Sequence, residues 1–493
     1  MTTVPQSGRL VKLSFAFAAL AYCPIATLAG AAEPPRKASR PNVVLIIVDE
    51  LGYQFVGANG GLTCRGIPIH TPNIDALAET GVRWTHAHAR AMCSPTRQTL
   101  MTGKHGFRYP KPKLETIFIP KLMKRAGYTT GHVGKWMMGP LFNPSLKGYD
   151  EAAIYCGQYQ FHDPQVMTFN ARGYLSEFNQ PTSVKRINGG DMHCATVDNV
   201  YKAEHATVLK GQFGPDVMNR WACDFITRHK ENPFFLYYAT KLAHIRHPKI
   251  PRVDAEPSYA NSVNYVDTLV GQIIEALELA GVRDNTLILF VGDNGHKDSP
   301  ADKKSIAKGQ LYLPGTKGGL YEGATRVPFI ANWTAGGASG VVRDELMCIT
   351  DLLPTCVAAA GAELPSDDTF DGVSLLPQIR GEQGNPREWV YIDDGSHPNI
   401  VKGELSQFYD GVPKAHRRYV VGTRYKLLWD GRFYDLQTDI DETHDISLGT
   451  GSPDAETARA TLQKVLDDYA EQIGPDFKDP TLVPKAEVIA STN

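Results

Sequence analysis

At 493 residues and a formal charge of −2, the chain has room for two or three domain-sized units and is nearly balanced in charge. An apolar content of 42% beside 21% charged residues fits a globular protein with a large core. The balance argues against nucleic acid or an anionic membrane as partner, so an anionic ligand has to be held by local cations.

Near the start, Arg9 and Lys12 precede the apolar run 13–22, and small residues follow through 29–32. This is the layout of a secretory signal peptide over residues 1–32, predicting export to the periplasm or the medium and no membrane contact after cleavage. Eight cysteines occur, at 23, 64, 93, 156, 194, 223, 348 and 356. Cys23 leaves with the signal and Cys93 is reserved for chemistry; the other six permit disulfides without specifying any.

The run 42–48 (Asn-Val-Val-Leu-Ile-Ile-Val) is a continuous apolar, mostly β-branched run after its first residue, the pattern of a central parallel strand buried on both faces. It ends in Asp49-Glu50, and open α/β sheets bind ligands at the carboxyl ends of their strands. Residues 71–81 read as a scaffold helix capped by Thr71, opened by Pro72 and ended by Gly81. The stretch 91–103 (Ala-Met-Cys-Ser-Pro-Thr-Arg-Gln-Thr-Leu-Met-Thr-Gly) then sets Cys93 before the first turn of a short helix, with Ser94 as cap and Gly103 as left-handed exit. Arg97, one turn on, is expected to point back at Cys93, giving a site for an anion. A helix over 114–126 leads into a strand reaching Val133, with Lys135 just beyond.

Residues 140–215 show little periodicity and are expected to supply loops, with Tyr155, Tyr159, Phe161 and His162 as candidate substrate walls or ordinary packing. Residues 234–239 form another buried strand, followed by His244 and its local rival His247. A helix over 263–279 precedes a third buried strand, 286–291, which again ends in oxygen ligands, Asp293-Asn294. Acidic and amide oxygens on two distant strand ends suit Ca²⁺ or Mg²⁺ and do not suit zinc. His296 is either a pocket wall or a solvated side chain. Past about residue 380 the chain predicts short strands over 418–421, 425–429 and 432–436, a hairpin at Asp430-Gly431 and an amphipathic helix over 453–473.

The segment Cys93-Ser-Pro-Thr-Arg97-x-x-Leu-Met-Thr-Gly103 resembles the sulfatase signature of the alkaline phosphatase superfamily. Residues 127–136 are similar to that family's second signature, and 317–323 with Arg326 to a further segment. The resemblance covers roughly residues 40–450. It implies an α/β fold: a large, mostly parallel sheet sandwiched by helices (33–380), with a smaller C-terminal antiparallel sheet plus helix (381–493). It implies that a maturation enzyme oxidises Cys93 to Cα-formylglycine, whose hydrate attacks the sulfur of a sulfated small molecule or saccharide and then expels sulfate.

By the same resemblance, calcium is held by Asp49, Glu50, Asp293, Asn294 and the oxygen on residue 93. Arg97 and Lys135 support the hydrate, while Lys317 and His244 handle sulfate and the leaving group. Glu322 and Arg326 read as structural partners of their loop. Two positions depart from the family pattern. Glu50 stands where an aspartate is usual, and Met137 stands where a histidine follows the tryptophan. A phosphonate or phosphate monoester hydrolase of the same superfamily, or a silent sulfate-binding homologue, remains an alternative.

Overall fold

The computed structural model describes residues 40–473 except 62, 65, 109–115, 138–146, 157–160, 170–206, 245–246, 252, 298–311 and 394–417. The candidate signal segment, Cys23, Cys194 and Tyr159 lie outside the described residues. No helix among those described is long and apolar enough to cross a membrane.

The first half of the chain supplies β1 (Asn42–Val48), α1 (Pro72–Glu79), β2 (Val82–His88), α2 (Cys93–Thr102), α3 (Ile119–Arg125), β3 (Thr129–Lys135), β4 (Glu151–Cys156), β5 (Gln165–Phe169) and β6 (Thr207–Val208). The large sheet is completed by α4 (Gly214–His229), β7 (Phe234–Thr240), α5 (Tyr259–Leu279), β8 (Thr286–Gly292), α6 (Glu322–Thr325), β9 (Phe329–Asn332) and β10 (Val341–Cys348). Then come α7 (Leu352–Ala359), α8 (Leu376–Ile379), β11 (Val390–Asp393), β12 (Arg418–Val421), β13 (Tyr425–Leu428), β14 (Phe433–Asp435) and α9 (Pro453–Ile473).

Ten strands form one mostly parallel sheet in the order β10-β2-β9-β8-β1-β7-β3-β4-β5-β6; β11 to β14 form a separate antiparallel sheet. In β1, alternate residues face opposite ways. Val43, Leu45 and Ile47 join a core with α2, α3, α7 and α8, while Val44, Ile46 and Val48 join a core with α1, α4 and α5. Each such fully buried aliphatic side chain contributes about 1.5–3 kcal/mol, which is why so apolar a run settles at the sheet centre.

Register then positions the site. Val48 lies opposite both Thr240 on β7 and Gly292 on β8, and Gly134 on β3 lies opposite Ala239. Four neighbouring parallel strands therefore end at one level. Asp49, Asp293, Lys135 and the β7 extension toward His244 emerge side by side.

The sequence reading needs several corrections. The segment 140–215 carries three strands and the start of α4, so Tyr155 lies on β4. The helix expected over 114–126 spans only Ile119–Arg125, entered from Phe118 with Pro120 in its first turn. Thr71 does not cap α1 with its side chain: its hydroxyl donates to Asp75 Oδ1 (3.0 Å) and accepts the Gly57 N–H (2.8 Å). Strands β2, β9, β10 and β11 are absent from that reading, although β2 opens with the alternation Val82-Arg83-Trp84-Thr85. Of the cysteines available for disulfides, Cys223, Cys348 and Cys356 are free thiols.

Candidate active site

Helix α2 begins at Cys93 itself, and its left-handed exit at Gly103 (φ 65°) lets that N–H reach the Thr99 carbonyl at 2.8 Å. Ser94 does not cap it. The Ser94 hydroxyl instead donates to the Met137 carbonyl (3.2 Å) and accepts from the Gln98 amide (2.9 Å). Met137, the departure from the family pattern, sits in the left-handed region (φ 50°) and meets α2 through its backbone carbonyl.

The Cys93 thiol is buried between opposite charges. It donates to Asp49 Oδ1 at 3.1 Å, and Lys317 Nζ reaches its sulfur at 2.8 Å. Burial, with the Asp293 and Asp49 carboxylates nearby, pushes this thiol up to about 12. As a plain thiol it is therefore a poor nucleophile at neutral pH, contrary to what a helix start beside an arginine suggested.

Arg97 is buried and turns to β8, giving Asp293 Oδ2 two hydrogen bonds, from Nε (3.0 Å) and Nη2 (2.8 Å). Lys135, the last residue of β3, forms an ion pair with Asp49 Oδ2. Gly134 makes this possible: at φ 105° a side chain there would run into the Ala239 carbonyl, so only glycine can aim Lys135 across β7. Burial raises the Asp49 carboxyl, but Lys135, His244, Arg97 and Lys317 together hold it well below the usual carboxylate range. Asp293 goes the other way, raised by burial and by Asp49 despite Arg97.

Glu50 bridges the halves of the cluster. Its backbone lies in the left-handed region (φ 56°), where its N–H donates to Asp293 Oδ1 (2.9 Å) and its carbonyl accepts from the Tyr259 hydroxyl (2.8 Å). A non-glycine residue held this way costs about 1–3 kcal/mol and persists where surrounding bonds over-determine it. Its carboxylate meets Lys317 Nζ at 2.5 Å and His244 Nε2 at 3.3 Å. Burial would lower Lys317, yet Cys93, Glu50, Asp49 and Asp293 together push it well above the ordinary lysine range.

His244 is buried within this group. Ligand atoms of Asp49, Cys93 and His244 lie within 4.8 Å of one another. The rival His247 packs instead against the rings of Tyr259 and His296. His296 is buried, not solvated: its ring lies 3.6 Å from that of Tyr259, and its carbonyl accepts the Lys317 N–H (2.8 Å). Among the candidate walls, Tyr155 and Phe161 face the buried Lys241 ammonium at 4.0 and 4.8 Å, and exposed His162 bonds the Lys249 carbonyl.

The residue types fit a hard divalent cation. Asp49, Asp293 and Asn294 are buried oxygen carriers, and Asn294 Oδ1 has no hydrogen-bond partner among the described residues. A buried, orphaned amide oxygen one residue after Asp293 matches the ligand chemistry of calcium. Sequence reasoning assigned no role to Tyr259, which holds the Glu50 carbonyl. Nothing in its local sequence distinguishes it from a core aromatic.

A buried thiol at a helix start, two acidic strand ends and a ring of buried cations form a site suited to an anionic ligand at the carboxyl edge of an α/β sheet. Residues 41–362 match the family described as Sulfatase. Over 408 residues the chain is 30% identical to N-acetylgalactosamine-6-sulfatase of Mus musculus, covering 76% of this chain and 72% of that protein. It is 31% identical to arylsulfatase A of Bos taurus, covering 77% and 75%. The crystal structure of Ps i-CgsB in complex with k-i-k-neocarrahexaose matches with a TM-score of 0.66 and 25% identity, covering 92% of this chain and 96% of that one. The chain belongs to the sulfatase family and is a sulfuric ester hydrolase.

Proposed function

We propose that hydrolysis runs on residue 93 after a maturation enzyme has converted its cysteine to Cα-formylglycine, in an exported protein acting on a sulfated saccharide or small sulfate ester. The observation that carries this is the seat of Cys93 Sγ, 3.1 Å from Asp49 Oδ1 and 2.8 Å from Lys317 Nζ. Any atom placed there meets a carboxylate that can accept a hydrogen bond and a cation that can hold an oxyanion. The high thiol pKa supports an oxidised residue over a thiolate.

Asp49, Asp293 and Asn294, with Glu50 at their edge, would hold calcium, whose charge offsets that of sulfate and of the oxygen on residue 93. Arg97 and Lys135 fix the two aspartates. Lys317 binds a sulfate oxygen, and His244 delivers a proton to the departing alkoxide. Oligosaccharide substrates are favoured by the company the chain keeps. One relative is named for N-acetylgalactosamine 6-sulfate, and one structural neighbour holds a neocarrahexaose.

The test is purified protein expressed with a maturation enzyme. An aldehyde-reactive probe should label residue 93, and sulfate should be released from 4-nitrophenyl sulfate or N-acetylgalactosamine 6-sulfate much faster than phosphate from 4-nitrophenyl phosphate. Aldehyde with phosphate release dominant would make this a phosphoesterase. Aldehyde with binding of sulfated ligand and no turnover would make it a silent homologue.

A further inference from the structure

The loop carrying Lys317 is pinned at its near end by the catalytic sheet. Lys317 donates its N–H to His296, Gly318 donates to the Ala91 carbonyl (2.8 Å) two residues before Cys93, and Gly319 closes the turn on Thr316 (2.9 Å). The far end is held from elsewhere. The Leu320 carbonyl accepts a hydrogen bond of 2.6 Å from Lys426 Nζ, 106 residues downstream on β13 of the small sheet.

Lys426 is 0% exposed. Its ammonium also donates to Glu442 Oε1 (2.7 Å), lies 3.7 Å from Glu322 Oε1 and sits 4.3 Å over the Tyr419 ring. Glu442 Oε1 in turn accepts the Glu322 N–H at 3.1 Å. One lysine and one glutamate of the C-terminal part thus grip the backbone of the loop at two points, Leu320 C=O and Glu322 N–H.

A merely adhesive role fits this poorly. The seam already has apolar contacts: Leu320 packs with Leu346, Val390, Tyr419 and Leu428. Burying an ammonium and two carboxylates is a poor way to add stability, because desolvation offsets the attraction. What such a network adds is direction, since each donor is aimed at one acceptor. We infer that Lys426, together with Glu442, is a positioning pair. It fixes the loop so that Lys317, three residues before Leu320, stays against Cys93 and Glu50. The inference rests on the reading that Lys317 binds the sulfate.

A double-mutant cycle tests it. Lys426→Met/Glu442→Gln removes one buried cation and one buried anion together, leaving no lone charge; Lys426→Arg keeps the charge but displaces the donor, and stands in if the pair variant fails to fold. Turnover of 4-nitrophenyl sulfate is measured per residue-93 aldehyde, so that loss of folded or matured protein drops out. The expected result is a kcat/KM about tenfold lower in the otherwise native protein, as a misplaced binding group costs. On a Lys317→Ala background the same change should cost less than about twofold, because its effect runs through a side chain already gone. Equal losses on both backgrounds, or no loss in the native one, would overturn the positioning role. Native turnover in Lys317→Ala alone would instead overturn the sulfate-binding reading.

Discussion

Two clusters of buried charge lie along the same loop, and they are built to opposite ends. The cluster at the strand ends gathers Asp49, Glu50, Arg97, Lys135, Asp293 and Lys317 around a thiol, and an oxygen of Asn294 has no hydrogen-bond partner among the described residues. The cluster at the seam sets the charges of Glu322, Arg326, Lys426 and Glu442 facing one another at 2.7–3.9 Å, with the His88 ring 3.9 Å from Glu322. An unpartnered oxygen does not separate them, because Glu322 Oε1 and Oε2 and His88 Nε2 also lack a hydrogen-bond partner among the described residues; the first cluster alone holds a thiol among its charges. Burial alone does not mark a site. A side chain open to modification, held between a carboxylate and an ammonium, does.

The largest effect that separates them is on turnover. Cys93→Ala should lower kcat/KM by at least about a thousandfold, since a covalent nucleophile has no substitute among its neighbours. Loss of so small a side chain should cost only about 1 kcal/mol of stability. Chemical denaturation beside 4-nitrophenyl sulfate kinetics checks both halves. Retained activity in the alanine variant would remove residue 93 from the reaction.

A smaller effect concerns calcium. If calcium binds the first cluster and not the second, calcium at a hundred times its dissociation constant should stabilise the native protein by about 2.7 kcal/mol. Asn294→Leu should abolish most of that gain, and Lys426→Met/Glu442→Gln should keep it. Thermal unfolding with calcium and with chelator measures the difference. A seam variant that no longer responds to calcium would mean that the two clusters behave as one.

How far each cluster could be read from sequence follows from how each is assembled. Asp49 and Asp293 follow continuous apolar runs, and parallel register then brings the ends of such runs to one level. Cys93 and Arg97 share one short helix, so spacing alone gave their proximity. The direction of Arg97 was beyond reach, because it depends on Asp293 from a strand nearly two hundred residues away. The seam was not legible at all. Lys426 lies in a four-residue strand and Glu442 in a turn at φ 52°, and a lysine in an exposed-looking hairpin carries no sign of burial. Segment 140–215 was misread because its strands are short and one, β6, has only two residues. Periodicity needs more length than that.

The smallest effect is a proton at the seam. His88 is fully buried, and burial, with Arg326, His86 and Lys426 nearby, lowers it to about 4 in spite of Glu322. In the unfolded chain the same ring takes a proton near pH 6.5. Between those values the unfolded state binds the extra proton, so native stability falls as pH drops from about 6.5 toward about 4, by about 1.4 kcal/mol per pH unit for one histidine. Replacing His88 by glutamine removes that proton. The variant should lose about 2 kcal/mol less than the native protein between pH 6.5 and 5, read from urea unfolding at the two values. Acid sensitivity unchanged in His88→Gln would mean that the ring is already charged beside Glu322. The seam would then be an ion triad rather than a lysine-centred grip.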